Sequence, residues 1–472
     1  MAGHRVLVMI EVGNETPDGA VLVAPPQLGT RAGRPEAQPS GVDTLQTTEA
    51  PDIIVITLDA ARPDRFSSYG YERTTTPNLD RLAEDALVYR NAFALAPYTL
   101  CSVPTMVTGL SFLDHQVVRR GERLTDEVTT LAEYLKNAGY RTACISATPN
   151  NSRSLGTHQG YDDFIETWHI IPRGESIDAG LLSQMALDWL EENDTGAPIH
   201  LQLHYVPPHS PYTPDEEFDR FTDPEYDGPF DGSNHVIAAV DSHRWWARPE
   251  DLAHINALYD GNLREADAAV ERVLEALRAR PRWRDTVVLV TSDHGEAFFE
   301  HDRMGHNSTL FDEMLRVPFI LRLPPGAADA NGVDLNRLVT LEDIVPTLVG
   351  LAGMETEPEV SGLDLLRPVS PGSSHRGRLV VARSATVPPI YAVRNLHRKL
   401  ILSTSGQGAL FDLARDPGEH NDLVLIDRPS LVGLGMLLTG ELARPAQFEP
   451  AAELDELPEQ DVEMLKALGY LQ

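Results

Sequence analysis

Hydrophobic positions along this chain fall into short continuous runs and helical stripes that take turns. Ile53-Ile54-Val55-Ile56-Thr57-Leu58 is an unbroken run rich in β-branched residues, as a strand buried on both faces requires. Leu131 to Ala138 reads as a helix and Thr142 to Ser146 as a strand. Leu263, Ala266, Val270, Val273, Leu274 and Leu277 recur on one helical face, and Thr286 to Thr291 follows as a second buried strand. Such alternation predicts an α/β fold, a mainly parallel sheet flanked by helices. From about Arg378 the rhythm changes. Leu379 to Ala382, Ile390 to Val393 and Lys399 to Leu402 read as short strands, and Asp416-Pro417-Gly418 as a strong turn. A small C-terminal α+β subdomain with antiparallel strands is therefore expected. Residues 1 to 50 are rich in Gly, Pro, Thr and Ala with little period, and read as a loose leader. The expected division is 1–50, 51–375 and 376–472.

At 472 residues the chain exceeds what one core usually fills, in keeping with a large catalytic domain and a smaller piece. Acidic residues outnumber basic ones 71 to 39, for a formal charge of −32. That field disfavours nucleic acid and anionic membranes. It also means that an anionic substrate needs a local positive centre, which a bound metal would supply. Lysine occurs only at 136, 399 and 466. The two cysteines, Cys101 and Cys144, do not make a disulfide framework. No apolar run is long enough to span a bilayer. Val6 to Ile10 is too short for the core of a signal peptide, so a cytoplasmic location is expected, or a periplasmic or secreted one if the start is misassigned.

Ligands of parallel sheets gather beyond the carboxyl ends of the strands. Asp59 lies there after IIVITL, and Asp293 and His294 lie there after TVVLVTS. Two carboxylates and an imidazole suit one hard or borderline divalent ion, such as Ca, Mn, Mg or Zn. Asp59 alone reads more simply as a turn residue; both strand ends together favour the metal. In APYTLCSVPTMVTGL, residues 96–110, Ser102 can cap a helix with Pro104 in its first turn. Thr99 would then stand just ahead of a helix N-terminus, a place that favours anions. A metal-bound hydroxyl there would ionise readily and attack phosphorus. LHYVPPHSPYTP, residues 203–214, offers His204 and His209 in a proline-stiffened loop, with His204 as a candidate substrate-binding residue. Residues 293–321 add His306, able to protonate a leaving oxygen or hold an anion, and His301, read as a surface residue.

In order along the chain, LDAARPD, APYTL…TGL, HYVPPHSPY, YDGNLREADAAVERVL, SDHGEAFFEH…GH and LRVPFI resemble the sulfatase family of the alkaline-phosphatase superfamily. LEDIVPTLVGLAG, LFDLARDPGEHNDL and LKALGYL extend the resemblance from about residue 52 to the end. It implies an alkaline-phosphatase-like fold, a divalent metal and a nucleophile that becomes transiently esterified. By position, Asp59, Asp293 and His294 match metal ligands, Thr99 the nucleophile and a further metal contact, and His209 a substrate-binding histidine. His306 matches the place of a Lys or His that faces the substrate anion.

The departures redirect the chemistry. Sulfatases place Cys or Ser in a C/S-x-P-x-R pattern and oxidise it to formylglycine. Here the register fixed by Thr108-Gly109 puts Thr99 at that position, and threonine cannot become formylglycine. Cys101 is near, but CSVPT has its proline one place late and lacks the arginine. Arg120 stands where relatives carry asparagine, either as an anion clamp or facing solvent. A formylglycine hydrate releases sulfate by collapsing to the aldehyde; a sulfated threonine has no such route, whereas a phosphothreonine can be attacked in line by water. The sequence thus favours a hydrolase of small anionic phosphate or phosphonate esters. The alternatives are a sulfatase using Cys101 and a phosphoglycerol-type transferase.

Overall fold

The structure is a computed structural model and describes residues 50–171, 178–327, 333–367, 378–451 and 457–470. Apart from Ala50, the leader lies outside the described residues. Seven strands form the main sheet in the order Ala86–Val88, Phe319–Arg322, Thr286–Thr291, Asp52–Leu58, Ile199–Tyr205, Arg141–Ser146 and Asp163–Glu166. Phe319–Arg322 runs antiparallel to both neighbours, and the other pairings are parallel. The expected mainly parallel sheet is therefore observed.

Side chains alternate across the central strand, so its continuous apolar run feeds two cores. Ile54, Ile56 and Leu58 pack with the helices Ala179–Glu192 and Pro249–Ala279. Ile53 and Val55 pack on the other face with Leu131–Asn137 and Ile344–Leu351. The six apolar residues read as one helical face, Leu263 to Leu277, are all buried in the 31-residue helix Pro249–Ala279.

Val380–Arg383, Ile390–Arg394, Arg398–Ser403 and Gly408–Asp412 form a separate antiparallel sheet. The last of these, GALFD, carries too weak a pattern to be read as a strand; pairing with Arg398–Ser403 makes it one. One side of this sheet is covered by Leu434 and Leu438 of the helix Arg428–Leu442. Ala382 and Ala392 instead join a cluster with Val103 and Val107. Lys399, wholly buried, reaches Asp312 at 2.7 Å and Glu419 at 2.8 Å, and Arg394 meets Asp312 at 2.7 Å.

The helix predicted near residue 102 begins earlier, at Thr99, and runs to Thr108 with Tyr98 as its N-cap. Ser102 lies inside the first turn, donating its hydroxyl to the Ala96 carbonyl at 3.0 Å, and Pro104 is interior. Burial of every residue of this helix overrides the capping preference of Ser102. Gly109 ends it at φ 69°, where a Cβ would lie 2.9 Å from Val360 and 3.0 Å from Val345. His301 is not the surface residue expected. It stacks on Phe311 at 3.6 Å and pairs with Glu313 at 2.7 Å. Among the described residues, no helix is long and apolar enough to cross a membrane.

Candidate metal centre and nucleophile

Strand register decides what meets at the sheet edge. Thr57 is the partner of both Thr291 and His204. Asp59 and Asp293, two residues beyond paired positions, therefore emerge at one level. Asp293 Oδ1 accepts from the Ala60 amide at 3.3 Å and the His294 amide at 3.0 Å, tying the strand ends together.

Asp59, Asp293 and His294 are buried and bring ligand atoms within 4.8 Å of one another. His294 Nε2 is 3.4 Å from Asp59 and 3.6 Å from Asp293. Its Nδ1 donates to the Gly295 carbonyl at 2.7 Å. A carbonyl only accepts, so the neutral ring carries its proton on Nδ1 and aims the Nε2 lone pair at the two carboxylates. Asp293 Oδ2 has no hydrogen-bond partner, and among the described residues the basic side chains beside the two carboxylates are His204 and His294. Burial, then the charge of Asp293, pushes Asp59 well above the usual carboxylate range. Carboxylates and a lone pair converging in a dry site are costly without a cation, and oxygen donors with one nitrogen fit a divalent ion.

Thr99, the first residue of its helix, is fully buried against this cluster. Its Oγ1 lies 3.5 Å from each Asp59 oxygen and 3.3 Å from His294 Nε2. Cys101, two residues on, joins the apolar cluster of Phe93, Leu95 and Val107, where burial pushes its thiol up to about 12.

His209 and His306 stand beside the metal set, with ring centroids 4.8 Å apart and His306 4.5 Å from His294. His209 donates Nδ1–H to the Ser210 carbonyl at 2.6 Å, and His306 Nδ1 meets Glu296 at 3.0 Å. Both Nε2 atoms are buried without a partner. Burial, then the neighbouring His306, pushes His209 down to about 3; burial pushes His306 to about 4.

His204 lies in the strand, not the loop, fully buried, with Nε2 3.8 Å from Asp59 and Nδ1 3.4 Å from Asn151. This places it on the carboxylate side of the cluster. Arg120 is exposed and lines a groove with Gly121, Pro149 and Leu465. Two residues of the site escaped the sequence reading. Glu296, two places after His294, is wholly buried against His306; its closeness to the Asp-His pair was the available signal. Tyr470 places its hydroxyl 3.1 Å from Thr99 Oγ1, and nothing in the local sequence announces that a C-terminal residue reaches the sheet edge.

Residues 51–354 match the family described as Sulfatase. An arylsulfatase from Clostridium perfringens is 24% identical over 447 residues, covering 79% of this chain and 90% of its own. The crystal structure of the phosphonate monoester hydrolase of Agrobacterium radiobacter superposes with a TM-score of 0.67 at 22% identity, covering 82% of this chain and 94% of that one. The phosphonate monoester hydrolase SpPMH from Silicibacter pomeroyi gives 0.65 at 19%, covering 83% and 94%. The structural likenesses establish a shared fold, and the family match spans most of the chain. The protein accordingly belongs to the sulfatase family and is a hydrolase of ester bonds.

Proposed function

We propose that this protein hydrolyses phosphate or phosphonate esters through Thr99, with Asp59, Asp293 and His294 holding one divalent ion. The observation that carries the reading is the position of Thr99 Oγ1, in reach of both Asp59 oxygens and of His294 Nε2. The ion, when bound, supplies Lewis acidity that makes this hydroxyl easier to ionise. The helix N-terminus adds a favourable field for the resulting alkoxide. Thr99 Oγ attacks phosphorus in line, the bond from phosphorus to the leaving oxygen breaks, and the leaving oxygen takes a proton. Water then attacks the phosphorylated threonine and restores the hydroxyl.

His209 and His306 hold their Nδ1 atoms on fixed partners and keep Nε2 free for the substrate. A bound anion acts against the depression of their pKa values and favours protonated Nε2, able to hold a phosphoryl oxygen or protonate the leaving group. His204 supports Asp59 from the carboxylate side. Arg120, exposed beside the C-terminal helix, suits a second contact to a small anionic ester. Phosphorus is preferred to sulfur because threonine has no aldehyde route for releasing sulfate. Cys101 supports the alternative poorly, because burial in a mainly apolar cluster pushes its thiol up to about 12.

The test is substitution combined with trapping. Thr99→Ala should abolish turnover of bis(4-nitrophenyl) phosphate, while Cys101→Ser retains most of it. Rapid quenching with a slow phosphodiester should leave a phosphorus adduct on residue 99, with Cys101 unmodified in the intact mass. Formylglycine at 101, or sulfate-ester turnover that survives Thr99→Ala, would overturn the reading.

A further inference from the structure

The last helix of the described chain, Glu459–Ala467, ends in a motif that fixes one more residue. Gly469 adopts φ 82°, its amide donates to the Lys466 carbonyl at 3.0 Å, and the Tyr470 amide donates to the Leu465 carbonyl at 2.8 Å. These two bonds, with glycine left-handed between them, are a Schellman termination. Tyr470 thus has a defined backbone position.

The helix is itself held down. Leu465 and Leu468 are buried, and buried Asp461 accepts from Ser154 at 2.7 Å and Trp168 Nε1 at 2.9 Å while meeting His169 Nε2 at 3.0 Å. Asn234 donates its side-chain amide to the Ala467 carbonyl at 3.0 Å and would meet a Cβ at Gly469 at the same distance.

This anchoring delivers the Tyr470 ring to the site. Its centroid is 5.1 Å from that of His209 and 5.8 Å from that of His306. Its hydroxyl is 3.1 Å from Thr99 Oγ1. The other polar neighbours of that oxygen, Asp59 and His294, belong to the metal set, so Tyr470 supplies the hydroxyl partner on the side of the substrate histidines.

We propose that Tyr470 is a catalytic residue: its hydroxyl donates to the Thr99 oxygen in the resting enzyme and to the phosphoryl oxygens as the bond to phosphorus forms. This rests on the reading that Thr99 is the nucleophile. Tyrosine stays protonated throughout and makes no covalent bond; its role is a fixed donor where negative charge grows. The ring, packed against two imidazoles, keeps that donor in place.

Tyr470→Phe removes the hydroxyl and leaves the ring. With bis(4-nitrophenyl) phosphate as probe, kcat should fall about 10- to 100-fold, at or below the usual range for a transition-state donor. KM, metal content and melting temperature should stay near those of the parent. Unchanged kcat would overturn the proposal. So would a raised kcat, which would make the side chain a plug in the anion site, or a loss that merely tracks lost metal. Thr99→Ala assayed alongside separates the two possible failures. An inactive Thr99→Ala beside a fully active Tyr470→Phe removes this inference alone, whereas an active Thr99→Ala removes the reading beneath it.

Discussion

Acid should loosen the helix that carries Thr99, through one buried histidine. His115 Nδ1 accepts from the Val117 amide at 3.0 Å, so its ring proton lies on Nε2, which reaches Thr105 Oγ1 of that helix at 3.1 Å. Protonating Nδ1 would turn an accepting atom into a second donor facing an N–H. Burial pushes this imidazole down to about 3 from the ordinary 6.5, against the opposing charge of Asp114. A histidine with a depressed folded pKa contributes stability that is fully present above pH 6.5 and is lost as pH falls toward 3. Each unit is worth about 1.36 kcal/mol, so at pH 4.5, two units below the unfolded value, His115 alone should remove about 3 kcal/mol. The assay is urea unfolding, followed by tryptophan fluorescence at pH 7.0 and 4.5, of the parent and His115→Asn. The carboxamide oxygen of asparagine can accept from Val117, and the residue does not titrate. Other acid-sensitive groups, including the carboxylates of the metal centre, are common to both proteins and cancel. His115→Asn should be the less stable protein at pH 7.0, and the gap should shrink by about 2–3 kcal/mol at pH 4.5. A gap that stays constant between the two pH values would refute the reasoning.

Asp293→Ala should lose most bound divalent ion in elemental analysis of the purified protein, because one of few charged ligands is gone; parent-like content would exclude the assignment. His209→Ala should keep its metal but lose turnover by roughly 10²–10⁴, the range of acid–base groups; loss of metal instead would place His209 among the ligands. Lys399→Met should leave buried Glu419 without its cation and half-buried Asp312 with Arg394 alone. A destabilisation of about 3–5 kcal/mol is expected from breaking a buried pair, read as a lowered urea midpoint, and an unchanged midpoint would contradict it.

Much of this architecture was legible because it follows from local pattern. The runs IIVITL and TVVLVT have the continuous apolar character of strands buried on both faces, and both are central strands of a mainly parallel sheet covered by helices. Asp59, Asp293 and His294 were visible for the same reason: a polar residue directly after a buried strand emerges at the edge where ligands collect. GALFD was not legible, since its strand character comes from the neighbour it pairs with. The start of the Thr99 helix was misplaced because burial of all ten residues outweighs the preference of Ser102 for a cap.

By itself, then, the sequence determined which side chains stand at the strand ends and that a hydroxyl lies close before Pro104. Their convergence depends on register, the pairing of Thr57 with Thr291 and with His204, which no local pattern specifies. Tertiary structure likewise decided that His204 sits beneath Asp59, that Glu296 turns to His306, and that Cys101 faces apolar side chains while Thr99 faces the carboxylates. Most of all it decided the place of Tyr470. That contact joins positions 371 residues apart in the chain, and it exists because a helix cap and a buried Asp461 hold the tail against the sheet edge.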